Sequence, residues 1–132
     1  VYEATWTEFV ARFGTTARRL FLLAGLKAAL DALRVAGCQK VYLDGSLTSA
    51  KEEPSDFDGC WEASGVHRAL LDPILLNFAH RRAAQRLKYG GELFPADWSA
   101  EVGGTNFLQF FQRDKQTGQP KGIVAIDLEG LP

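Results

Sequence analysis

The sequence predicts an α+β fold, a mixed sheet of about five strands with helices packed on it. Three observations lead there: a leucine series at steps of three and four, several apolar runs of strand length, and strands that follow one another without an intervening helix. A doubly wound parallel sheet needs a crossover helix between strands, so the last of these argues for mixed pairing. The 132 residues amount to one ordinary domain, spanning 1–132, and 46% hydrophobic with 23% charged residues is a composition that can bury a core.

Thr5 and Glu8 have capping-box spacing ahead of Phe9 and Phe13, which predicts a short helix ending at Gly14. Leu20, Leu23, Leu26, Leu30 and Leu33 then fall on one helical face, with Thr15 or Thr16 as cap and Gly37 as the left-handed stop. Lys40 to Asp44 reads as a strand running into Gly45-Ser46, and Phe57 to Glu62 as a second strand after a polar loop. Asp72 and Pro73 open another helix, expected to run to about Tyr89 and to stop at Gly90-Gly91. Glu92 to Pro95 is a short strand. Phe107–Gln112 and Gly122–Leu128 are two further apolar runs with turn chemistry from Asp114 to Pro120 between them, expected as a hairpin.

The chemistry-bearing stretch is Gly45-Ser46, nine residues, then Asp56-Phe57-Asp58. On a strand, alternation points Asp56 and Asp58 to one face, their Cα atoms roughly 6.6 Å apart. Carboxylates at that separation can share hard cations such as magnesium, which takes oxygen ligands and keeps positions for phosphate oxygens. A glycine at a strand end lets the backbone approach a ligand, and amides with a serine hydroxyl can donate to phosphate. Each half has a plainer reading, a turn for Gly-Ser and a solvated strand edge for Asp-x-Asp. Their combination at this spacing favours the functional one.

Gly-Ser, a spacer and Asp-x-Asp on the next strand resembles the signature of the DNA polymerase β-type nucleotidyltransferase superfamily. The wider text, from Val41-Tyr42-Leu43-Asp44-Gly45-Ser46 through Pro54 to Trp61, is similar to a family of short bacterial nucleotidyltransferase-like proteins. The likeness runs from Trp6 and Phe9 through Gly91–Pro95 to Lys121–Leu128. It implies a minimal nucleotidyltransferase fold, Mg2+ or Mn2+ as cofactor, and transfer of a nucleoside monophosphate from a nucleoside triphosphate to a hydroxyl acceptor on RNA or protein. Asp56 and Asp58 would be metal ligands and catalytic, Gly45 and Ser46 would hold phosphate, and Lys51 would neutralise triphosphate charge. A third carboxylate should come from a later strand, where Glu92 fits best by order along the chain and Asp127 and Asp97 are alternatives. Small relatives in the superfamily often act as toxins, so a toxin–antitoxin role with an antitoxin partner is a further expectation. The alternative is a catalytically inactive domain that binds a nucleotide or a partner.

The remaining residues have plainer expected roles. Lys51 stands among Glu52 and Glu53 and reads equally as a solvated charge. Arg81, Arg82, Arg86 and Lys88 suit the end of a helix dipole, with phosphate contact as the alternative. His80, at helical spacing with Leu76, Ala84 and Leu87, is expected to pack. Trp6, Trp61, Trp98, Phe107, Phe110 and Phe111 are expected in the core, because they lack the interleaved charge of single-strand binders. Cys38 and Cys60 are too few for a disulfide framework and are expected reduced and half-buried. A net charge of −1 gives no general pull toward nucleic acid. No run of roughly 20 apolar residues exists for a membrane span, and no leader is visible, so a cytoplasmic location is expected. A phosphate-binding loop of the NTPase kind and a Gly-x-Ser-x-Gly elbow are both missing.

Overall fold

The computed structural model describes residues 2–44, 56–100, 104–113 and 122–132. Gly45, Ser46 and Lys51, with the turn residues 114–120, lie outside the described residues. The order is β1 (Tyr2–Ala4), α1 (Trp6–Phe13), α2 (Ala17–Val35), β2 (Lys40–Asp44), β3 (Phe57–Trp61), α3 (Ala79–Tyr89), β4 (Gly91–Pro95), α4 (Phe107–Phe111) and β5 (Val124–Asp127). Five strands form one mixed sheet in the order β1-β5-β2-β3-β4. The pair β2–β3 and the pair β2–β5 are antiparallel, while β1–β5 and β3–β4 are parallel. The fold is α+β, and among the described residues no helix is long and apolar enough to cross a membrane.

Local chemistry explains most of these elements. Thr5 and Glu8 form the reciprocal capping box of α1, and Thr16 accepts the Arg19 N–H at the start of α2. Period-two alternation sends Val41, Leu43, Phe57, Trp61, Leu93 and Ile126 to one side of the sheet. There they pack on Phe9, Leu22, Leu26, Leu30 and Leu33 of α1 and α2. The opposite side carries Tyr42, Cys60 and Phe94 in one cross-strand row under Phe107 and Phe111 of α4.

Several expectations are corrected. Phe107–Phe111 is a helix and not a hairpin strand: Asn106 and Gln109 form a capping box, and Phe107, Phe110 and Phe111 recur at helical spacing on the sheet. β5 therefore pairs with β1 and β2, and the short strand β1 was not foreseen. The helix expected from Pro73 is broken. A 3-10 turn covers Pro73–Leu76, capped by Asp72, and α3 begins at Ala79 with His80, Arg81 and Arg82 in the left-handed region at φ 52°, 58° and 61°. That backbone turns the side chains off the expected stripe, so His80 is exposed and Leu87 is 91% exposed, while Gln85 and Tyr89 are buried. Leu20 is half exposed and Trp98 is 38% exposed, whereas Trp6 and Trp61 are buried. Both cysteines are free and fully buried rather than half-buried.

Candidate functional site

The acidic residues are organised by strand register. Asp44, the last residue of β2, faces Asp58 of β3 across the antiparallel pair, and Asp58 faces Glu92 of β4 across the parallel pair. Directly paired residues project to the same face, so the three carboxylates form one row across three strands, spaced by roughly 4.8 Å per strand. The row lies next to the Tyr42–Cys60–Phe94 row and at the end of the sheet where β2 runs out toward Gly45 and Ser46. Asp44 is buried; Asp58 and Glu92 are half-buried.

Asp56 precedes β3 instead of lying within it, so strand alternation does not fix its side chain beside Asp58. It lines a cleft of about 690 Å³ between α2 and α3, with Arg18, Phe21, Gly25, Arg86 and Tyr89. Glu92 is the later-strand carboxylate that the fold brings into register with Asp58. Asp127 pairs with Lys40, four residues along β2 from Asp44, which is roughly 13 Å away. Its carboxylate caps the turn Leu128–Gly130 by accepting the Glu129 N–H at 2.9 Å. Asp97 is exposed in the turn after β4.

Glu92 is held by two guanidinium groups. Arg82 Nη2 donates to both carboxylate oxygens at 3.3 and 3.4 Å, and Arg86 Nε lies 3.7 Å from Oε1. The Arg82 guanidinium also lies over the Phe94 ring, 5.5 Å from its centre. Phe94 in turn stacks with Phe78 and with Phe107. Cys60, beside the acidic row, has its thiol pushed up to about 12, first by burial and then by the charge of Asp44. A thiol raised that far is held in its protonated form. Among the described residues no three His, Cys, Asp or Glu side chains converge closely enough to hold a metal ion.

Two participants escaped the sequence reading. Asp44 reads as the end of an apolar strand, and only the register of β2 against β3 sets it opposite Asp58. Arg82 reads as helix-end charge, and only the left-handed backbone turns it onto Glu92.

Comparison with known proteins gives one family. A model of the family of unknown function DUF6932 matches residues 1–127, and the chain belongs to that family. No curated protein and no solved structure matches it.

Proposed function

We propose that this domain is a metal-dependent nucleotidyltransferase, moving a nucleoside monophosphate from a triphosphate to a hydroxyl on RNA or protein. The observation that carries the reading is the residue-for-residue pairing of Asp58 with Glu92, on the same face as Asp44 and at the sheet end that leads to Gly45-Ser46. It supports Asp58 and Glu92 as the two carboxylates contributed by successive strands, with Asp56, just before β3, as the further ligand expected from the sequence. Gly45, Ser46 and Lys51 are the expected phosphate holders.

The donor chemistry suits Mg2+ or Mn2+, since every candidate ligand is a carboxylate oxygen. Asp58 fits that role by type and face. Glu92 fits it once it leaves Arg82. A bound ion would supply charge neutralisation on the phosphates. The chain's own residues would hold and orient: the sheet fixes Asp58 and Glu92, Gly45 and Ser46 would receive the phosphates, and Arg82 and Arg86 balance Glu92. Positioning and electrostatics are the main contributions expected for this chemistry. A toxin role with an antitoxin partner follows from the resemblance alone, and a cytoplasmic setting from the sequence's lack of an apolar span.

A second reading is favoured by one observation, the double ion pair at Glu92. If that pair is permanent, the domain binds nucleotide or a partner without turnover. Incorporation of labelled triphosphates into tRNA and into cell protein separates the two, measured for wild type and for Asp56→Ala/Asp58→Ala. Binding without incorporation into any acceptor selects the second reading. Equal incorporation by the variant removes the site.

A further inference from the structure

His80, Arg81 and Arg82 are consecutive non-glycine residues in the left-handed region, at φ 52°, 58° and 61°. L-residues visit that region singly, because Cβ crowds the following carbonyl, and three in succession store strain. Composition accounts for little of it: His80 is of a type enriched there, but neither Arg81 nor Arg82 is. The run lies immediately before the right-handed remainder of α3, which a relaxed segment would simply extend toward Ala79. Some tertiary contact must therefore hold it.

Within the turn, the Ala79 N–H donates to Asn77 Oδ1 at 3.1 Å and the Arg82 N–H to the Phe78 carbonyl at 3.4 Å; the tertiary contacts are those of the Arg82 side chain. Its Nη2 reaches Glu92, and its guanidinium covers Phe94. Among the described contacts of His80 and Arg81 there is no comparable anchor, and both side chains are exposed. The hold is itself imperfect. Arg82 Nε is buried with no acceptor among the described residues, and the bonds to Glu92 are long for charge-assisted pairs.

We propose that the Arg82–Glu92 pair is a latch: it keeps residues 80–82 left-handed, and loss of the Glu92 charge lets them rewind as right-handed helix. Rewinding withdraws Arg82 from the acidic row and leaves Glu92 with the more distant Arg86 alone. Arg82 is thus a positioning residue acting through Glu92. In the reading proposed above, a cation at Asp58 and Glu92 would open the latch. That clause alone rests on that reading; the latch rests on the backbone and the ion pair.

Position 81 reports the handedness, because its side chain is exposed and a substitution there changes little else. Glycine is favoured over alanine in the left-handed region and disfavoured inside a right-handed helix. In the otherwise wild-type chain, Arg81→Gly should melt above Arg81→Ala by roughly 4 °C. In a Glu92→Gln background the order should reverse, with Arg82→Ala as the second background should Glu92→Gln fail to fold. The same order in every background overturns the latch, as does Arg81→Ala melting higher in the wild-type chain. Addition of magnesium with inorganic triphosphate should also reverse the order. Reversal by Glu92→Gln without reversal by magnesium triphosphate keeps the latch and counts against the metal reading.

Discussion

Gln85 Oε1, on the buried side of α3, accepts the Leu93 N–H of β4 at 3.0 Å. β4 is an edge strand, paired on its inner side with β3, and this N–H is among those on its outer side, where it meets Gln85. The side chain closes an edge that would otherwise expose an unpaired ladder group inside apolar packing. Gln85→Ala should cost about 1–3 kcal/mol, the range for leaving a buried donor unmade. Gln85 Nε2 is itself buried with no acceptor among the described residues. Gln85→Met, which keeps the bulk and removes that group too, should cost less than Gln85→Ala. Urea midpoints at unchanged m-value measure both, and a midpoint for Gln85→Ala equal to wild type would contradict the capping role.

Gly25 makes the approach of α3 to α2 possible. A Cβ at that position would lie 2.0 Å from the Tyr89 carbonyl oxygen, which is backbone at the end of α3 and cannot rotate away. Alanine would gain about 1 kcal/mol of helix propensity in the interior of α2. The overlap outweighs it, since forcing atoms into a filled contact costs typically 1–3 kcal/mol and here displaces a helix terminus. Gly25→Ala should therefore lower the melting temperature despite its higher propensity. A rise would mean that α2 and α3 are farther apart.

What the sequence made legible was the local chemistry. The Thr5–Glu8 box, the leucine face of α2 from Leu23 to Leu33 and the strand Lys40–Asp44 are recorded in neighbouring residues and stand where expected, and the strand from Phe57 ends one residue early, at Trp61. Phe107–Phe111 was open to either reading, because a short apolar run has no decisive period. The Asn106–Gln109 box was the signal that favoured helix. β1 is three residues held by pairing with β5, more than a hundred positions away, and leaves no local trace. The acidic row is legible only in part for the same reason. Asp58 and Glu92 carry a motif and an order, whereas Asp44 joins them through register and Arg82 through a backbone conformation that its own residue type disfavours.

Asp72 ties the 3-10 turn to the end of α3 and should give the fold two pH limits. Burial pushes its carboxyl up, but hydrogen bonds from Lys88 Nζ, the Tyr89 hydroxyl and the Ile74 N–H outweigh this and hold it below the ordinary 3.8. A depressed folded value means stability present above about 3.8 and lost as pH falls through that lower value. Tyr89 is pushed up from 10.0 to about 12, by burial first and then by its hydrogen bond to Asp72. A raised folded value means stability intact below 10.0 and lost as pH rises toward about 12. Melting temperature against pH for wild type and Asp72→Asn checks this. The gap between them should be widest between those limits and narrow beyond both. A constant gap would exclude the coupling.

The carboxylate set can be separated by position. Asp58→Asn keeps the shape of a side chain in the middle of the acidic row and removes its charge. With the metal-assisted reading, nucleotide incorporation should fall by about two orders of magnitude or more, since an ion held by too few carboxylates loses several kcal/mol of transition-state stabilisation. Chelation should abolish incorporation in wild type, and added Mg2+ or Mn2+ should restore it. Glu92→Gln should behave like Asp58→Asn, because strand register places the two side by side. Asp127→Asn and Asp97→Asn should stay within about twofold of wild type, as differences that small lie below half a kcal/mol. Asp127 is at the far end of the sheet capping a turn, and Asp97 is exposed beyond β4. Loss of incorporation in Asp127→Asn with Glu92→Gln fully active would move the third carboxylate to the other end of the sheet. The Asp58–Glu92 pairing would then be architecture alone.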